Sequence, residues 1–229
     1  MSASELKTLD RRQLFDLAIR FALALTFALG AGICVKKGIT LWQSIDFSNP
    51  APHQIGQVLS VFAIGLYTMM VACLYVLRLR PVNKFAGAVP AAAAILGGFL
   101  MSALLLLSPR DDLPMWARVV ASAMVVVGNI FAVIIILRLG RSFSILPEGR
   151  RLVTHGPYAV VRHPLYLAEA VATLGVVINF LSVWALSLVA VQLALQVVRI
   201  HYEEKVLKET FPEYHDYAQK TWRLIPGIY

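Results

Sequence analysis

The stretch LYLAEAVATLGVVINFLSVWALSLVAVQLALQVVRI, residues 165–200, decides the architecture of this chain. It is apolar almost throughout, and the turn-forming NFLS at 179–182 divides it into two helical arms. The first arm has about 15 residues, or ~22 Å of helix, against a hydrocarbon core of ~30 Å. It is therefore shorter than that core, whether or not it crosses fully, whereas the second arm is full-length. The pair reads as a helical hairpin in a membrane.

The rest of the chain supports that setting. Of its 229 residues, 59% are hydrophobic and 15% charged, and the mean hydropathy is +0.70. A soluble domain is nearer half apolar and a quarter charged. Further apolar runs occupy Leu17–Val35, Ile55–Leu77, Phe85–Leu107 and Trp116–Leu137. The first follows the polar segment MSASELKTLDRRQ and contains Arg20; it is too long for a signal-peptide core and no clear cleavage site ends it, so it reads as a retained span. The expected fold is an all-α integral membrane protein with about six apolar helical arms, four spans plus the C-terminal hairpin, and a cytoplasmic helical tail. Residues 1–137 form the four-span region and 138–229 a more polar C-terminal region, within one structural unit.

The net charge of +8 is distributed as a membrane protein would distribute it. Counting arms with the amino terminus inside, Lys36, Lys37, Arg110 and Arg118 fall on one side and Arg20 within a span; the remaining lysines and arginines fall on the other side. This asymmetry predicts cytoplasmic termini and basic charge facing anionic lipid, rather than a nucleic-acid partner. Cys34 and Cys73 both lie within spans, so no disulfide framework is expected. The five histidines show no clustered spacing, and no metal is expected.

Reactive side chains gather after residue 138. The segment RLGRSFSILPEGRRLVTHGPYAVVRHP is long and its Gly and Pro residues rule out one continuous helix. Pro164 is suited to open a helix and keeps His163 out of helical geometry, holding that imidazole where free N–H groups favour an anion. Glu169 lies one turn beyond Tyr166, where an acid within an apolar arm is either functional or paired with Arg162 or Arg199. On the second arm, Gln192, Gln196, Arg199 and Glu203 share one helix face, which must meet protein or water rather than lipid. Around that helix Glu203 stands about 40° from Arg199 and Glu204 about 140° away. Both acids cannot face one point on a regular helix. The tail continues the helix with Val206, Leu207 and Phe211 on one stripe, a second short helix starts near Glu213, and IPGIY ends in extended form. No Walker loop, GxGxxG after a strand, GxSxG or HExxH is present.

LVTHGPYAVVRHPLY at 152–166, a helical hairpin, and RIHYEEKVLKETFPEY at 199–214 together resemble the isoprenylcysteine carboxyl methyltransferase family, to which phospholipid N-methyltransferases are related. The resemblance covers residues 152–229; residues 1–137 agree only as generic spans. It implies S-adenosylmethionine (SAM) as methyl donor, with S-adenosylhomocysteine as product. It implies that Leu152, Val153 and Tyr158 wrap the adenosine, that His163, Pro164, Leu165 and Tyr166 form the HPxY cofactor contact, and that Glu204 touches the cofactor. Arg199 is then directed toward the acceptor, with Glu169, Gln196 and Glu203 beside it. Ala168 departs from the glycine common in the family. The expected reaction is carboxyl O-methylation of an isoprenylcysteine-like or other lipid carboxylate at the cytoplasmic face. Two alternatives stand beside it: amine N-methylation of a phospholipid, and an NADPH-dependent reduction, because RHPLYLAE and LIPGIY also resemble membrane sterol reductases. A membrane scaffold or lipid-binding protein is the non-enzymatic reading.

Overall fold

In a computed structural model the described residues are 11–49, 51–79, 82–84, 87–106, 110 and 112–228. The amino-terminal residues 1–10, on which the cytoplasmic start of the chain was read, lie outside them, as do Phe85 and Leu107 at the ends of the third apolar run.

Among the described residues seven α-helices follow in order: α1 Arg11–Gln43, α2 Pro52–Leu77, α3 Ala88–Phe99, α4 Met115–Leu139, α5 Pro164–Ile178, α6 Val183–Thr210 and α7 Tyr214–Lys220. The first six overlap the apolar runs of the sequence. Four helical stretches among the described residues are long and apolar enough to cross a membrane: Leu17–Gln43, Pro52–Leu77, Met115–Ser142 and Val183–Thr210. The third arm is shorter than its hydropathy suggested, because α3 gives way to a 3-10 helix, Leu100–Leu106. The sole strands among the described residues are β1 Asn83–Lys84 and β2 Glu148–Gly149, paired antiparallel with Asn83 opposite Gly149.

Helix α1 packs on α2, α2 on α4, and α4 on α5, while α3 packs on α6. Phe21, Leu25, Leu29 and Ile33 recur every four residues on α1 and are all exposed, a stripe suited to lipid. Helices α4 and α5 approach closely. A side-chain carbon at Gly128 would stand 2.6 Å from the Ala172 nitrogen and 2.8 Å from the Ala168 oxygen. One at Gly175 would stand 2.6 Å from the Ala121 oxygen. Glycine is required on both helices for the backbones to touch. The family departure at Ala168 sits in this seam, buried against Gly128.

The hairpin is as the sequence reads. Helix α5 has 15 residues, and the α6 amino terminus is capped by Ser182, whose oxygen accepts from the Ala185 N–H at 3.2 Å. With 28 residues, α6 is about 42 Å long, so its last two turns, carrying Glu203 and Glu204, outrun a ~30 Å core. The chain ends in a turn around Gly227 (φ 81°) rather than extended, with the Ile228 N–H bonded to the Ile225 oxygen.

Candidate active site

The loop from 140 to 163 brings the polar motif to the mouth of the bundle. Gly140 leaves α4 with φ 51°, and Gly156 turns the chain at φ 66° into the short 3-10 helix Gly156–Ala159, which has Pro157 in its first turn. A buried ionic cluster staples this loop to the end of α2. Glu148 pairs with Arg150 and accepts from Ser144 at 2.9 Å, while the Arg150 Nε donates to the Leu79 oxygen at 2.8 Å. Burial holds the Arg150 guanidinium below its ordinary pKa. Charges so deeply placed persist only when paired and hydrogen-bonded, so the loop is fixed rather than free.

Inside this frame lies a cavity of about 720 Å³. The end nearest this loop is walled by Leu152, Val153, Tyr158, Arg162, His163, Leu165, Tyr166, Glu203, Tyr214 and Tyr217. Deeper, between α1, α2, α3 and α5, the wall turns apolar with Phe27, Ile33, Val61, Ile64, Phe99 and Val176. Phe27 and Phe99 stack across it at 5.6 Å between centroids. Glu169, Arg199 and Tyr67 stand between the two ends.

The sequence-predicted residues divide cleanly. Tyr158 is buried in a cluster with Ala132, Ile135, Val153 and Ala168, and its backbone oxygen accepts from the Tyr217 hydroxyl at 2.7 Å. Burial raises the Tyr158 hydroxyl well above its ordinary pKa, with the nearby Glu203 charge adding to the shift. Burial pushes Tyr217 up to about 12. His163 caps α5 at ψ 55°, off the helix as Pro164 demands, and its ring lies 5.7 Å from that of Tyr166. The Tyr166 hydroxyl donates to Glu203. The Arg199 guanidinium lies 4.8 Å above the Tyr166 ring, a cation–π contact. Glu169 bonds to neither arginine considered for it but accepts from the Tyr67 hydroxyl at 2.5 Å.

Pro164, Gln196 and Glu204 are off the cavity wall. Gln196 is buried within the bundle, and Gln192 donates to the Gly97 oxygen at 2.8 Å, so Gln192 ties α6 to α3. Helix α6 is continuous through residues 199–204, and the angular separation of the two acids is real: Glu203 faces the cavity beside Arg199, and Glu204 turns toward Arg162 and Arg223, at 2.8 Å from each. Tyr67, Tyr217 and Arg223 carry no sequence signal. Each is an isolated residue whose partner lies far along the chain.

The profile of the family described as phospholipid methyltransferase matches residues 116–214. A probable protein-S-isoprenylcysteine O-methyltransferase of Oryza sativa subsp. indica is 36% identical over 118 residues, which are 48% of this chain and 61% of that protein. Protein-S-isoprenylcysteine O-methyltransferase B of Arabidopsis thaliana is 34% identical over 122 residues, 49% of this chain and 61% of the relative. The cobalt-zinc-cadmium resistance protein CzcN of Cupriavidus metallidurans is 35% identical over 83 residues, 35% of this chain and 38% of the relative. The chain thus spans about three fifths of the plant relatives it matches. The matched region takes in α4, the motif loop, both hairpin arms and the tail to Tyr214, and so contains most of the cavity wall nearest the loop. Over this region the chain is similar to the protein-S-isoprenylcysteine O-methyltransferases and to the phospholipid methyltransferase family.

Proposed function

We propose that this chain is a SAM-dependent membrane methyltransferase acting on a lipophilic acceptor, with the donor at the cytoplasmic end of the cavity and the acceptor's apolar part between the helices. The observation that carries this is the continuity of one cavity from the tyrosine-lined mouth to the apolar gap between α1, α2 and α3. Its volume of about 720 Å³ lies within the ~300–1,000 Å³ typical of small-molecule sites.

The residues at the mouth suit SAM. Leu152, Val153 and the ring of Tyr158 offer an apolar, aromatic surface to a flat base, while Glu203 and the tyrosine faces favour a cation. Bound there, SAM supplies an electrophilic methyl group on a sulfonium. The protein's part is to position, desolvate and exclude water. His163 and Tyr166 are fixed by the α5 start and by Glu203. Arg199, held over Tyr166, presents its fork toward the cavity and orients an acceptor carboxylate, which is ionised at neutral pH and needs no base. Carboxyl O-methylation is accordingly the leading reading.

A second reading, methylation of a lipid amine, has a specific observation behind it. Glu169 and Glu203 both share the wall with Arg199, and an ammonium must be held and deprotonated before it can accept a methyl group. The family match favours either transfer over the NADPH-dependent alternative. On this account the protein is multi-pass, with both termini and the site on the cytoplasmic side.

The test is methyl transfer from labelled SAM, by protein in detergent, to membrane lipids separated into acidic and amine classes. Label in the acidic class that is lost in Arg199→Ala, with S-adenosylhomocysteine binding retained, supports carboxyl transfer. Label in the amine class transfers the assignment to Glu169 and Glu203, and no label in any lipid refutes the proposal.

A further inference from the structure

The acid that the family resemblance directs at the cofactor is not on the cavity wall. Glu204, 3% exposed, lies behind it at the centre of a clasp. Its Oε1 accepts from the Arg162 Nε at 2.8 Å, its Oε2 from the Arg223 Nη2 at 2.8 Å, and its Oε1 sits 3.4 Å from the His163 Nε2. A carboxylate accepts about four hydrogen bonds, so these contacts occupy most of its capacity.

The clasp joins two segments far apart in the chain. Residues 160–163 and 222–223 lie side by side: the Arg162 N–H donates to the Trp222 oxygen at 2.8 Å, the His163 N–H to the Arg223 oxygen at 3.1 Å and the Trp222 N–H to the Val160 oxygen at 3.1 Å. Arg162 also donates from Nη1 to the Ala218 oxygen at 2.7 Å and to the Thr221 oxygen, at the end of α7. Helix α7 brings Tyr214 and Tyr217 to the cavity. Both the motif loop and the tail helix are therefore tied to one buried anion on α6. A basic side chain from each meets it, so one carboxylate draws both segments together.

We infer that Glu204 is a positioning residue that acts through Arg162, His163 and Arg223 to hold the tail helix as the cytoplasmic wall of the donor site, and that it makes no contact with the donor itself. The inference rests on the methyltransferase reading for the identity of the ligand. It extends the site beyond the matched region to Tyr217 and Arg223.

The full-length protein in detergent tests it through two measurements, S-adenosylhomocysteine affinity by titration calorimetry and amide exchange at Arg162, His163 and Trp222. Glu204→Gln and Arg223→Ala are each expected to speed exchange at those amides and to weaken binding by about tenfold, as loss of a buried charged partner does. Their combination is expected to be no worse than either alone, because both open one clasp. Arg223→Lys, which keeps the charge, is expected to recover part of the affinity. If Glu204→Gln abolishes binding while exchange stays slow and Arg223→Ala binds as the wild type does, Glu204 touches the donor and the inference fails. Should Glu204→Gln not fold, Arg223→Ala decides alone, since unchanged affinity and exchange in that variant contradict the clasp. A wild-type protein that does not bind S-adenosylhomocysteine refutes the methyltransferase reading instead, and the exchange response still tests the tie between tail and loop.

Discussion

Replacing Gly128 with alanine probes the seam that sets the site. The new carbon would stand 2.6 Å from the Ala172 nitrogen and 2.8 Å from the Ala168 oxygen, whereas ordinary contact begins near 3.4 Å. Both neighbours are backbone atoms of α5, so no side chain can swing away. The helices must part by roughly the difference, and overpacking of this kind costs about 1–3 kcal/mol. Helix α5 carries Tyr166 and Glu169 into the cavity, so the shift is expected to weaken S-adenosylhomocysteine binding as well as stability. Gly32 supplies the control. Nothing lies within 4 Å of a carbon added there, and alanine in that exposed helical position is expected to be neutral or to stabilise by up to ~1 kcal/mol. Thermal unfolding in one detergent, followed by intrinsic fluorescence with and without ligand, compares the two. A Gly128→Ala protein as stable as Gly32→Ala would show that α4 and α5 do not touch as described.

Three further outcomes follow from the same geometry. Tyr67→Phe keeps the ring but removes the hydroxyl that donates to Glu169; a bond to a charged group contributes ~1.5–3 kcal/mol, so turnover is expected to fall about tenfold or more while S-adenosylhomocysteine affinity is retained, as steady-state kinetics and calorimetry would record. Tyr217, held up to about 12 by burial, ionises near 10 in the unfolded chain. Because its folded pKa is the higher, its stabilising share is complete below about pH 10 and is lost as pH rises through about 12; Tyr217→Phe is expected to flatten the alkaline loss of stability in that window. Gly175→Ala, whose added carbon would meet the Ala121 oxygen at 2.6 Å, is expected to destabilise as Gly128→Ala does in the same melting assay.

Much of the frame was legible in the sequence because membrane burial writes itself as long apolar runs. The hairpin at 165–200, the break at 179–182, the short first arm and the second tail helix follow from hydropathy, turn residues and length alone. The third arm was less so: the passage from α3 into a 3-10 helix at Leu100 leaves hydropathy unchanged. Angular arithmetic separated Glu203 from Glu204, but it could not say which arginines each would meet. Arg223 lies 19 residues from Glu204 and Arg162 lies 42 away, and no local pattern encodes such pairs. Tyr67 is more remote still, 102 residues from Glu169. It shows that the amino-terminal spans, generic by sequence, furnish a polar group and much of the apolar wall of the cavity.

The close approach of Gly128 and Gly175 was likewise invisible, since each is one small residue in an apolar run. What made the motif loop readable was stereochemistry. Pro164 forces His163 out of the helix, and Gly156 permits the turn that buries Tyr158. These local constraints hold wherever the remote partners come from.

The central claim is that the tyrosine-lined mouth of the cavity takes an adenosyl donor bearing a sulfonium. Titrating the purified protein in detergent with S-adenosylhomocysteine and, separately, with NADPH tests it most directly. Saturable binding of S-adenosylhomocysteine, competed by SAM and absent for NADPH, is the expected result; saturable binding of NADPH alone would contradict the account.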